Sequence, residues 1–277
     1  MKRLLPLLVV ITSYALRAQV TRSPLSSLYT GIGAWSKNFT DAFSGTVNQA
    51  ALAETRVAAA GVYREQRFML AALSNYAGAI AIPVASGGVG IAMHYFGAAD
   101  FSTSQLGLGY GRKLGENADI GAQINYNSIR VPGYGSTGTV NFELGTLWHI
   151  QQKLHIGFHV YNPVGGRYGL DGSEKLASVY TMGAGYEASD KFFLSGEIAK
   201  EEDQPVNVLA GMQYVFAKQF FARAGMSGTG SNYFFGVGVK WKTCRVDIAT
   251  TWHQQLGFTP ALLLVFDMKD KKAGEKP

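Results

Sequence analysis

From residue 87 onward, apolar and polar residues alternate with a period of two. The pattern is sharpest over 117–162. There Ile120, Ala122, Ile124 and Tyr126 share one side, and Gly121, Gln123, Asn125 and Asn127 the other. Next, Val140, Phe142, Leu144, Thr146 and Trp148 oppose Asn141, Glu143, Gly145 and His149, and Leu154, Ile156, Phe158 and Val160 oppose His155, Gly157, His159 and Tyr161. Successive strand residues point to opposite faces of a sheet, so each segment is predicted as a strand with one apolar and one polar face.

The same alternation continues to Phe266 and gives about twelve strands. Upstream, residues 57–84 hold Ala-rich apolar runs whose break at Ser74 and Asn75 favours a hairpin over one helix. That raises the count to about fourteen, an even number as a closed antiparallel outer-membrane barrel requires. The expected fold is therefore all-β: a transmembrane antiparallel β-barrel of about 14 strands with an N-terminal plug-like segment.

Connection lengths give the hairpins a direction. Short turns at 115–117, 151–153, 189–190, 217–218 and 242–244 alternate with longer connections at 130–138, 163–176, 227–232 and 253–257, and only 201–205 is compact on that side. Barrels of this class keep their short turns in the periplasm. Aromatics stand on the apolar face at both strand ends. Tyr110, Trp148, Tyr186, Phe192, Phe216, Phe220, Trp241 and Phe266 lie near the short turns; Tyr95, Tyr126, Tyr180, Tyr233, Trp252 and Phe258 lie near the long ones. Two such belts are expected at two membrane interfaces, whereas a secreted β-sandwich or β-propeller would show the alternation without them.

Composition fits this reading. Of the 277 residues, 47% are hydrophobic and 16% charged, yet beyond the N-terminus no apolar run is long enough for a spanning helix. Some of the 34 glycines fall on the polar face, where they leave room in an interior or let the sheet bend. Residues 1–18 read as a signal peptide, with Lys2 and Arg3, an apolar run at 4–11 and Ala18 before the cleavage point. Residues 19–56 then form an N-terminal plug or periplasmic segment, 57–267 the outer-membrane barrel, and 268–277 a disordered basic tail. The lone Cys244 excludes an intrachain disulfide. The net charge of +6 is partly terminal, and with no basic stripe carrying interleaved aromatics, nucleic acid is not an expected partner.

If the apolar face meets lipid, the polar face lines the lumen with His94, Gln123, Asn125, Glu143, His149, His155, His159, Glu187, Glu197, Arg223, Lys240, Arg245 and Asp247. Of these, His149, His155, Glu187, Lys240 and Arg245 lie within a few residues of short turns and so share a depth near the periplasmic end. A ring there would gate or select a solute; alternatively, these groups form satisfied ion pairs that fill a narrow lumen. No metal is expected: His155 and His159 are about 13 Å apart along one strand, and His149 and His155 face each other without a nearby carboxylate. Nor is an enzyme or a cofactor, since no G-x-S-x-G occurs and no histidine falls on the lipid-facing register.

Several stretches resemble FadL-like outer-membrane barrels of Bacteroidetes-type bacteria, a group that includes PorV-like accessory proteins of type IX secretion. Residues 48–53 (NQAALA) are similar to the Asn-Pro-Ala-x-Leu-Ala element that precedes the first strand, with Gln49 where the family has proline. Similar stretches are GYGRKLG (109–115), HVYNPVGG (159–166) and HQQLGFTPALLLVF (253–266). The resemblance implies about fourteen strands and an N-terminal segment folded into or under the lumen, with Asp41, Asn48, Gln49 and Ala50 in the plug. It also implies passage or binding of small hydrophobic solutes. The alternative is a non-transporting barrel that docks a partner in type IX-like secretion or envelope assembly through 163–176 and the cationic tail.

Overall fold

A computed structural model describes residues 27–168, 174–217, 219–228 and 232–268. The expected signal peptide (1–18) and residues 269–277 of the expected tail lie outside the described residues.

The strands run in chain order as β1 Ala59–Gln66, β2 Ser74–Val84, β3 Gly87–Ala98, β4 Phe101–Lys113, β5 Ala118–Val131, β6 Gly135–His149 and β7 Leu154–Tyr161. A small hairpin, β8 Arg167–Tyr168 and β9 Glu174–Lys175, interrupts the series. It continues with β10 Val179–Ser189, β11 Phe192–Glu201, β12 Asn207–Ala217, β13 Phe220–Ser227, β14 Asn232–Trp241, β15 Cys244–His253 and β16 Gly257–Asp267. All but β8 and β9 form one closed antiparallel barrel of fourteen strands, shut by the pairing of β1 with β16. Closure leaves no open edge among these fourteen strands, which is what a strand needs where no water can satisfy its backbone.

The register sets the apolar residues side by side on the outside. Ile124 pairs with Leu108 on one flank and Phe142 on the other, and all three side chains are exposed. An exposed apolar exterior of this kind is what a lipid-facing barrel presents. No helix among the described residues is long and apolar enough to cross a membrane. The aromatic belts form cross-strand pairs. Tyr233 stacks on Trp252 with Phe258 at the same level, and at the opposite end Phe216 stacks on Phe220 and Phe192 meets Tyr214 edge-on.

Several connections differ from expectation. The first hairpin exists, but Ser74 and Asn75 open β2 and the turn is 67–73. The long connection expected at 130–138 shrinks to 132–134, because β5 runs to Val131 and β6 restarts at Gly135; the Gly and Pro content there marks a tight turn, not a long loop. Similarly, 254–256 is a short turn. The contrast between the two ends therefore rests mainly on 67–73 and on 162–178, the connection that carries β8 and β9.

Residues 29–55 run inside the barrel, in the half nearer the short turns. They fold as successive helical turns: Ser27–Thr30, Ile32–Trp35, Ser44–Thr46 and Gln49–Glu54, the last three being 3-10 turns. The apolar core lies between this segment and the wall: Tyr29, Ile32 and Phe43 pack with Phe193, Phe234, Leu263 and Val265. Wall glycines let the two approach. A Cβ at Gly121 would overlap the Gln49 backbone, and one at Gly185 would overlap the Trp35 carbonyl.

Candidate functional site

Three polar clusters join the inner segment to the wall. The first centres on Glu143 of β6, which is fully buried. Its carboxylate accepts hydrogen bonds from Gln49 Nε2 at 2.8 Å, Asn125 Nδ2 at 2.7 Å and His159 Nε2 at 2.8 Å, with Gln123 Nε2 at 3.4 Å and Gln105 Nε2 at 3.5 Å. A buried carboxylate is tolerated only with such a set of donors. Asn48 completes the attachment: its Oδ1 accepts from Ala50 N at 3.1 Å, capping the Gln49–Glu54 turn, and its Nδ2 donates to Thr146 O at 3.1 Å.

The second cluster gathers two arginines and two aspartates. Asp41 of the segment meets Arg245 Nη2 at 2.9 Å and Arg223 Nη2 at 3.5 Å, and Arg245 Nε lies 3.2 Å from Asp247 Oδ1. Arg223 also donates to Gln213 Oε1 at 2.7 Å and to the Tyr29 carbonyl at 3.0 Å. Burial pushes the Asp41 carboxyl upward, but Arg245 and Arg223 outweigh it and hold the group below its ordinary range. Burial raises the Tyr29 phenol.

The third is a chain of groups leading to the short-turn mouth. Glu187 of β10 accepts from Ser36 Oγ at 2.6 Å, Lys37 N at 2.8 Å, Asn38 N at 2.9 Å and the Asn38 side chain. His155 Nε2 lies 3.2 Å from Glu187 Oε1, and His155 Nδ1 meets His149 Nδ1 at 2.9 Å. In turn, His149 Nε2 faces Asp119 Oδ2 at 2.9 Å and Glu54 Oε1 at 3.6 Å, while Lys113 Nζ donates to Glu54 Oε2 at 2.9 Å. Burial opposes the charge on Glu54, but the bonds from His149 and Lys113 outweigh it and hold the carboxyl at about 2. A cavity of about 660 Å³, lined by Lys37, Asn38, Glu54, Lys113, His149 and His155 among others, opens beside this chain.

The interior thus brings together most of the residues expected on the lumen face, but not as one ring. His149, His155 and Glu187 meet; Arg245 belongs with Arg223 and Asp247 in the second cluster. Glu197 accepts from Trp35 Nε1 at 2.9 Å, and His94 lies half-buried on β3 opposite Gln105. Lys240 keeps the inward parity of Phe234, Gly236 and Gly238 but lies at the rim, half exposed, where its Nζ pairs with Asp267 at 2.6 Å. The carboxylates thought to be missing near His149 are present. They are Asp119, which follows a short turn, and Glu54, which belongs to the segment. Asp119 continues the polar parity of Gly121, Gln123 and Asn125 to the start of β5 without having been expected among the lumen residues, whereas Glu54 lies outside the alternating strands. Tyr29 and Trp35 share the case of Glu54, since an irregular segment carries no period to read.

Comparison with protein-family models and with curated protein sequences yields no match. Among solved structures, the CymD monoaromatic hydrocarbon channel is similar at a TM-score of 0.60 and 10% identity, over 91% of this chain and 99% of that one. A Pseudomonas aeruginosa FadL homologue gives 0.60 and 13% over 87% and 98%, and the Ralstonia pickettii toluene transporter TbuX gives 0.58 and 11% over 88% and 97%. At these identities the likeness is one of architecture, and the chain has the fold of a FadL-like fourteen-stranded barrel.

Proposed function

We propose that the protein is a non-enzymatic outer-membrane channel for small hydrophobic solutes, with residues 29–55 as its plug. The observation that carries this reading is the segment's attachment inside the barrel through three polar clusters and an apolar core, while the apolar wall faces outward. Such an interior is assembled from two parts, and the polar groups that join them are ones water can satisfy when the segment withdraws. Further support comes from the architectures it shares, which are described as a monoaromatic hydrocarbon channel and a toluene transporter.

In this reading the interior residues have two tasks. Asp41, Asn48, Gln49 and Ala50 hold the plug, and Gln123, Asn125, Glu143, His149, His155, His159, Glu187, Glu197, Arg223, Arg245 and Asp247 form the surface it releases. Accessory action in type IX-like secretion has no observation in its favour. The test is recovery in the outer-membrane fraction, followed by uptake of toluene and of a fatty acid into vesicles carrying the purified protein. Uptake above that of empty vesicles is expected; no flux of either solute, with or without residues 20–53, contradicts the reading.

A further inference from the structure

We propose that Glu54, Asp119 and His149 form a binding site for a divalent transition-metal ion, with zinc the best match. One oxygen or nitrogen from each of the three side chains lies within 4.8 Å of the others, and all three residues are buried. Zinc bound at about 2.0–2.1 Å to nitrogen and oxygen in a tetrahedron needs ligand atoms roughly 3.3 Å apart. The separations of His149 Nε2 from Asp119 Oδ2 and Glu54 Oε1, 2.9 Å and 3.6 Å, bracket that value. One nitrogen and two carboxylate oxygens are a donor set that zinc accepts, and they leave a fourth position open. The neighbouring cavity, which His149 and Glu54 line, gives an ion and a water their way in.

Two further features separate this group from an ordinary ion-pair network. Lys113 takes Glu54 Oε2, the oxygen remote from His149, so an ion on Oε1 need not displace it. His149 turns its other nitrogen to His155 Nδ1, and His155 stands against Glu187. A metal-binding imidazole is typically oriented in this way through its second nitrogen, with a carboxylate behind it. The neighbours facing the three ligands are Lys113, His155 and, across the cavity, Lys37.

The three ligands come from separate parts of the molecule: Glu54 from the inner segment, Asp119 from β5 and His149 from β6. A bound ion therefore cross-links the segment to the wall. That consequence, a metal-dependent lock on the plug, rests on the channel reading; the site itself does not.

The experiment uses the full mature chain without an affinity tag, in detergent, with zinc alone as the probe. Calorimetric titration is expected to give one saturable ion per chain and a higher unfolding temperature. His149→Ala and Asp119→Asn should each weaken binding at least about 100-fold and abolish the temperature rise. His155→Leu should weaken binding about 10–100-fold, the range seen when an outer-shell partner is lost, whereas Lys113→Met should leave it within about threefold. Folding of each variant is checked by heat-modifiable gel mobility, and Glu54→Gln replaces any that fails. A folded wild type without saturable zinc binding overturns the site, as does binding that His149→Ala and Asp119→Asn leave unchanged. Zinc binding without solute flux would keep the site and remove the channel; flux without zinc binding would do the reverse.

Discussion

Gln49 Nε2 donates to Glu143 Oε2 across 2.8 Å, joining the inner segment to β6 at a carboxylate that no water reaches. Gln49 stands where FadL-like relatives were expected to carry proline, and proline has no side-chain donor to offer. Replacing Gln49 by Leu leaves Glu143 one donor short. The expected cost is about 1–3 kcal/mol, the penalty for a buried polar group losing its partner. Denaturant unfolding of the variant in detergent measures it, and a double variant with Glu143→Leu should cost less than the sum of the two single changes.

A side chain at Gly121 should expel the segment and spare the barrel. The added atoms of Gly121→Val overlap the Gln49 backbone, while the strand's outer face is untouched. Protease sensitivity of residues 29–55 should rise while heat-modifiable mobility stays that of a folded barrel. Gly196→Ala is the control, because the nearest atom to a Cβ there is the Leu209 carbonyl oxygen at 3.8 Å; it should change neither readout.

Acid should loosen the segment through Asp41. Burial raises its carboxyl, but Arg245 and Arg223, with a bond from Phe43 N, outweigh that and hold it below the ordinary value of 3.8; Ser44 Oγ also faces it. A group with a lowered folded-state pKa contributes stability that is fully present above its unfolded value and is lost as pH falls through the folded one. Protection of the segment from protease should therefore be flat from neutral pH to about 4 and fall below that. Asp41→Asn should already be weakened at neutral pH and should lose less on acidification.

The outward register has its own test. Leu108 sits midway along β4 with Ile91 and Ile124 at the same level on either side, all exposed. Arginine at such a lipid-facing midpoint should destabilise the barrel by about 2–4 kcal/mol in vesicles, against about 0–1 kcal/mol near an interface. Refolding equilibria of Leu108→Arg and Trp241→Arg compare the two depths.

Strands, faces and most interior residues were legible because period-two alternation is imposed twice, by lipid outside and by packed polar groups inside. Glu143 and His159 could be placed from spacing alone. What the spacing did not carry was how those residues pair. Asp119 keeps the polar parity of Gly121 and Gln123 but stands at the very start of β5, where the alternation has only begun, and Glu54 belongs to a segment whose 3-10 turns are set by the wall it touches. Lys240 shows where parity stops giving depth: it is on the inward side of β14, but the strand has reached the rim, where its side chain pairs with Asp267. The connection at 132–134 was overestimated because Pro132 and Gly133 signal a turn without giving its length.

Flux through the barrel with the segment docked and undocked is the most direct test of the channel. Uptake of labelled toluene into vesicles should be measurable for the wild type and several-fold faster for Gly121→Val, with Gly196→Ala at the wild-type rate. Equal, background-level uptake by all three folded proteins would contradict a plugged channel for small hydrophobic solutes.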